Sequence, residues 1–285
     1  MNRFYLQFAI TIPRGPRIDY DTACSCSNSC EKVIELLLQD EKVISFEDMQ
    51  LSFNMNFYNS KISEENKNKY KGISNLCYLL INNRDMSLPR RIVLLGRVLQ
   101  SIQKAEDNNL LINYESFSID FFANDFQIKK DINYSFDIQK KLLLHFTKQS
   151  PNIKAYSEQV FKYLSDGDEV EQYLKAKKHF YEIFPNAEIM FEKILVNHLF
   201  FVQFPFSSKY ENLWDEFESL CGVFMFIRFI SICYMADKFK VEDFVDVISA
   251  AFRLIGHTNF DLNVTLLLKR ENITTLEQLS ILIQA

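Results

Sequence analysis

Apolar residues recur at three- and four-residue intervals along most of this chain, a spacing that places them on one face of a helix. Val33, Ile34, Leu36, Leu37 and Leu38 predict a short amphipathic helix from 31 to about 39. The stretch 43–58 is less regular. Residues 60–69 (SKISEENKNK) are polar and charged, which marks a solvated loop or the first turn of the next helix, and the best candidate linker in the amino half. Residues 72–81 gather their apolar side chains on one face, Asn82-Asn83-Arg84-Asp85 ends that helix, and Ser87 can cap another that tolerates Pro89 in its first turn. Ile92, Leu95, Leu99 and Ile102 form one stripe of this second helix, 88 to about 105. The short connection predicts an antiparallel helical hairpin.

Residues 108–136 mix Tyr and Phe in partial alternation and fit strand as well as helix. Helical spacing returns at 138–145, 153–164 and 169–184, where Pro185 stops it. It continues at 187–204, ending at Pro205, then at 210–236, and at 241–256, which closes on Gly256. Thr274-Thr275-Leu276-Glu277 matches a capping box, with Thr274 as cap and Glu277 reaching back, and so predicts a last helix.

Composition agrees with this pattern. The 285 residues hold 27 Phe and 13 Tyr against six Gly, a mixture rich in bulky core residues and poor in hinges. The expected fold is mainly α, a multi-helix globular protein with an irregular amino-terminal segment. A net charge of −5 supplies no basic face for nucleic acid, so that class of partner is set aside. Residues 220–236 are nearly all apolar across a length that approaches a membrane span, but Arg228 at their middle would be costly in lipid, so a buried core helix is expected and no membrane. No signal peptide is read at the amino end, where no small-residue cleavage site follows the apolar residues. Six cysteines without one imply a reducing cytoplasm.

Sites of standard chemistry are scarce. With no G-x-G pair there is neither a dinucleotide fingerprint nor a phosphate loop, and H-E-x-x-H and G-x-S-x-G are missing too. His145, His179, His198 and His257 stand singly and are read as structural. Arg228 needs a buried partner, and an ion pair locking helices together is favoured over a cation facing a substrate. The Asn82–Asp85 turn reads first as a helix terminus satisfying loose backbone groups, and second as a binding element. Cys24, Cys26 and Cys30 cluster near the start, as a partial ligand set or as a polar loop with incidental thiols. A metal site or cluster usually needs four ligands, and Cys77, Cys221 and Cys233 each lie alone in apolar sequence.

Several of these features together resemble one family. Residues 76–96 (LCYLLINNRDMSLPRRIVLLG) resemble the NRD-x-S-L…R…LLG hairpin of the flagellin lysine-N-methylases of the FliB type. Residues 191–200 (FEKILVNHLF), then Phe204-Pro205-Phe206 and the apolar helix carrying Ile227-Arg228-Phe229, are similar to the family's carboxyl-terminal block. Ile12-Pro13-Arg14 and the stretch 25–31 are similar to its amino-terminal motifs, where only Cys30 sits on a family cysteine. The resemblance implies methyl transfer from S-adenosylmethionine to lysines of flagellin, in flagellar filament modification and motility. It also implies an iron–sulfur cluster whose cysteines belong mostly to a segment expected before Met1, with Cys30 as the metal ligand in this chain. On that reading residues 1–60 are a remnant of the cysteine-rich region and 61–285 a helical domain, with a division possible near 108–136. The expected partners are flagellin and a separately encoded amino-terminal methylase segment. The alternative is a non-enzymatic protein, derived from a truncated methylase, that binds flagellin or a subunit. No residue is assigned from sequence to the methyl-donor pocket or to the catalytic base, which must leave the lysine amine neutral.

Overall fold

The computed structural model describes residues 9–14, 17–22, 31–39, 64–108, 110, 130–148, 150–202, 204–206, 210 and 212–284. Eleven helices account for nearly all of them, so the protein is mainly α. Within the amino-terminal segment, read from sequence as irregular, two strands, β1 (Ala9–Arg14) and β2 (Arg17–Thr22), pair antiparallel with Ala9 opposite Thr22 and Arg14 opposite Arg17.

The helices are α1 (Glu31–Leu38), α2 (Glu64–Ile81), α3 (Leu88–Asp107), α4 (Ile132–Thr147), α5 (Pro151–Leu164) and α6 (Glu169–Ile183). They continue as α7 (Ala187–Phe201), α8 (Leu213–Tyr234), α9 (Val241–His257), α10 (Phe260–Arg270) and α11 (Leu276–Gln284). The α8 helix is the axis of the fold, with α3, α4, α5, α6, α9, α10 and α11 packed around it. It is buried at Leu213 and at every position from 216 to 233, because its apolar residues cover the whole circumference. By length and composition α8 could cross a membrane, and the fold uses it as a core helix instead. Burying each of its large side chains contributes about 1.5–3 kcal/mol. Aromatic rings extend that core: Phe180 meets Phe184, Phe191 and Phe244 at 5.2–5.9 Å between centroids, and Phe146 stacks on Phe260 at 4.2 Å.

Two glycines let helices approach closely. A Cβ on Gly96 of α3 would lie 2.4 Å from the ring of Phe217, and one on Gly222 of α8 would lie 2.4 Å from a methyl of Val264 on α10. Gly96 belongs to the Leu94-Leu95-Gly96 signature noted above.

Several boundaries differ from the periodicity reading. The α2 helix starts at Glu64, so of the two readings of the polar stretch 60–69, loop or first turn of the next helix, the second holds from 64 onward. Lys69 on this extension reaches Glu106 at the end of α3 at 2.7 Å, an ion pair that joins the two helices there. The α4 helix starts at Ile132, six residues before the predicted 138, because Asp131 caps it by accepting from the Tyr134 N–H at 3.0 Å. The α10 helix was not predicted, although Phe260, Val264 and Leu268 mark its buried stripe. The last capping box sits one residue later than predicted: Thr275 and Gln278 form it, with the Gln278 N–H donating to Thr275 Oγ1 and the Thr275 N–H donating to Gln278 Oε1. That register buries Leu276, Leu279, Leu282 and Ile283 and leaves Glu277 exposed.

Candidate functional site

Two polar sites lie along α7, one toward each end of it. The first joins α7 to the α2–α3 hairpin. The intervening turn is partly self-satisfied, since Asn83 Oδ1 accepts from the Asp85 N–H at 3.2 Å. Its arginine reaches elsewhere: Arg84 grips Glu192 of α7 in a fork, Nη2 donating to Oε1 at 2.7 Å and Nε at 3.0 Å. Arg91, one turn into α3, donates through Nη1 to Glu192 Oε2 at 2.6 Å and to the Ile81 carbonyl at 2.5 Å. Glu192 is fully buried and Arg91 nearly so. One helical turn before Glu192, Glu188 accepts from the Leu88 N–H at 3.1 Å. Ser87 stands at the cap position of α3 as predicted, but its side chain makes no capping bond, and Glu188 supplies the acceptor from a distant helix.

The second site is a cleft where the end of α7 meets the starts of α8 and α10. His198, Val202, Phe204, Tyr210, Glu216, Ser219, Leu220 and Asp261 line it. Glu216 and Asp261 lie in the first turns of their helices, where the macrodipole favours negative charge. Ser219 Oγ donates to Asp261 Oδ1 at 3.1 Å. The Tyr210 hydroxyl is withdrawn from solvent beside Thr265 and Ser219 without a well-formed hydrogen bond. Burial pushes that phenol up to about 12, with the Asp261 and Glu216 carboxylates adding to the effect and the two hydroxyls opposing it. The cleft is about 280 Å³ including its open mouth, and the room inside for a water's centre is about 10 Å³, close to what one water molecule needs. Chemically it offers two carboxylates, an imidazole, a phenol and a hydroxyl around a space of one small polar group.

A family model for the FliB lysine N-methylase C-terminal domain matches residues 74–282, which span both sites and all the helices from the middle of α2 into α11. The chain belongs to this family. No curated protein and no solved structure gave a match.

Within this FliB-type domain the two sequence blocks that carried the resemblance are in direct contact, since Arg84 and Arg91 of the first close on Glu192 of the second. That contact was not legible from either block alone, because the partners are about a hundred positions apart. Arg228 is buried, as expected. Its Nη1 donates to the Ile283 carbonyl at 2.8 Å and its guanidinium stacks on Phe224 at 5.7 Å. Burial alone would lower its pKa, and the neighbouring Tyr181, Tyr173 and Glu188 outweigh that and raise it. Arg228 thus ties α8 to α11. Of the single histidines, His179 bonds the Lys238 carbonyl at 3.0 Å and His257 is exposed, while His198 lines the cleft. His198, read from sequence as structural, is also packed against Phe252 at 5.3 Å between ring centroids.

The cleft at the end of α7 is too small for the implied methyl donor. A pocket for a nucleoside-sized methyl donor takes about 300 Å³ or more of well-enclosed space, and room for one water is far below that. Among the described residues no group of three or more His, Cys, Asp or Glu is placed to hold a metal. Cys77, Cys221 and Cys233 are buried apart from one another, and burial pushes the thiols of Cys221 and Cys233 up, away from the thiolate that metals require. Cys24, Cys26 and Cys30 lie outside the described residues.

Proposed function

We propose that this protein acts in the N-methylation of lysine side chains of flagellin in the cytoplasm, with S-adenosylmethionine as the donor. The observation that carries the reading is the family match over 74–282, reinforced by the way Glu192 welds the two resembling blocks into one structural unit. Lysine methylation demands a neutral amine at the moment of transfer, and so a polar, partly desolvated place for the acceptor. The cleft at the end of α7 has that character. Donor binding is assigned to none of the described residues, and on this reading residues 61–285 form the helical domain and 1–60 a remnant of the cysteine-rich part, with Cys30 its cluster ligand.

Mass spectrometry of flagellin tests this reading. Flagellin is isolated from cells with and without this protein, and again with a cysteine-rich amino-terminal methylase segment co-expressed. Lysine masses raised by methyl increments only when the protein is present support it; unchanged masses in every arm overturn it. A second reading is favoured by the small volume of the cleft: a non-enzymatic flagellin- or subunit-binding protein. Its signature is flagellin that co-purifies with the chain and carries no added methyl groups.

A further inference from the structure

We infer that α1 is the fastening that holds the amino-terminal part of the chain to the helical domain, seated on α7 and α9 with its last turn capped by Lys193. This deepens the methylation reading and rests on it for its biological context. Cys30 immediately precedes Glu31, so the stretch that carries Cys24, Cys26 and Cys30 is tied at one end to the first residue of α1. The division drawn near residue 60 is bridged, because a helix on its amino side packs into the body on the other.

Three contacts carry the inference. The first is apolar: Ile34 and Leu37, one helical turn apart, are the buried residues of α1, which packs against α7 and α9. An eight-residue helix is too short to persist alone in water, so docking and helix formation are one step. The second is Lys193 of α7, a nearly fully buried lysine whose Nζ donates to the Leu37 carbonyl at 3.0 Å. The last carbonyls of a helix lack partners within it and form its negative pole, so an ammonium placed there satisfies an acceptor and complements the dipole. A buried ammonium must itself be hydrogen-bonded, and docking α1 supplies this acceptor. The third lies at the other end, where Glu31 in the first turn pairs with Arg253 of α9. That pair is partly exposed and adds little stability, but with Lys193 it sets the direction of α1. A helix laid the other way would turn its positive pole toward Lys193 and its acidic first turn away from Arg253. Lys193 follows Glu192 in the chain, so adjoining residues of α7 hold the α2–α3 hairpin and α1.

Hydrogen exchange of the full chain, followed by mass spectrometry, tests this fastening. In the unaltered protein the amides in the second half of α1 are expected to exchange about a hundredfold more slowly than in an unfolded chain. Lys193→Met keeps the length of the side chain and removes its donors, and is expected to speed exchange in α1 about tenfold while α8 stays protected. Arg253→Glu, on a partly exposed side chain, is expected to speed it by a smaller factor. Unprotected α1 amides in the unaltered protein, or an α1 rate that Lys193→Met leaves unchanged, overturns the proposal. Should Lys193→Met unfold the body, the α8 amides show it, and Arg253→Glu then decides in the same way. Flagellin lysine masses from cells carrying the variant separate this inference from the reading it rests on. A loosened α1 with methylation undiminished keeps the methylation reading and overturns the part of α1 in it. An α1 held by Lys193 in a chain that never alters flagellin keeps the fastening and retires that reading.

Discussion

The two polar sites on α7 differ in what their charges are given to do. At the hairpin, every carboxylate oxygen of Glu192 is taken by an arginine, and the group as a whole is closed against solvent on the Arg91 side. At the cleft, two carboxylates, a phenol and an imidazole line one small recess, and Ser219 donates to Asp261 within it. Buried polar groups that satisfy each other fix the relative placement of helices, and polar groups arranged around an unfilled volume are available to a ligand. Position on one helix therefore does not imply one role. The contrast can be broken experimentally.

The largest effect is expected at Glu192. Replacing it with Ala leaves Arg84 and Arg91 facing each other with no carboxylate, and should cost about 3–5 kcal/mol in chemical denaturation. Replacing Glu192 and Arg91 together by Leu should recover much of that loss, since no uncompensated charge remains buried at the core of the site. A double variant as unstable as the single one would mean that the hairpin is held by packing rather than by this ion group. Next comes Gly222→Ala, just beyond the cleft wall. Val264 is short and stiff and cannot swing away from a new methyl, so a loss of about 1–3 kcal/mol is expected, read as a fall in Tm. Asp261→Asn keeps an acceptor for the Ser219 hydroxyl while removing a charge in the first turn of α10, and should cost about 1–2 kcal/mol, less than Glu192→Ala. A loss as large as that at Glu192 would place Asp261 with the structural group and erase the contrast.

The smallest effect concerns pH. The Tyr210 phenol ordinarily titrates at 10.0 and is pushed up to about 12 in the folded protein, so between those values the folded state holds a proton that the unfolded state has released. Its contribution to stability is fully present below pH 10 and is lost as pH rises toward 12. Tyr210→Phe should remove that share of the alkaline fall, measured as the difference between the two proteins' denaturation curves from pH 9 to 11.5. Identical slopes would show that the hydroxyl is wet.

Much of the fold was legible because it rests on local rules. The helical spacing at 153–164 and 169–184 is α5 and α6, Pro185 follows the end of α6, and the stripe of Ile92, Leu95, Leu99 and Ile102 is the buried face of α3. Illegible parts had non-local causes. Lys69 in the polar start of α2 pairs with Glu106 on the next helix, and the register of the last helix was decided by which leucines could be buried. Of the candidate sites, Arg228 was identified with its burial but not its partners, and Cys30 lies outside the described residues. The turn at 82–85 was recognised without Glu192. His198 was seen without Tyr210, Glu216, Ser219 or Asp261, which come from three other stretches of chain.

By itself the sequence determined a mainly helical protein, the place of most of its helices, the core role of the long apolar helix and a family resemblance carried by two blocks. Periodicity and capping act over a few residues, so one dimension suffices to read them. Only the tertiary structure decided that the blocks meet at Glu192 and that the cleft at the other end of α7 stays open. Charge pairing and cavity shape depend on distances between residues far apart in the chain, and packing sets those distances.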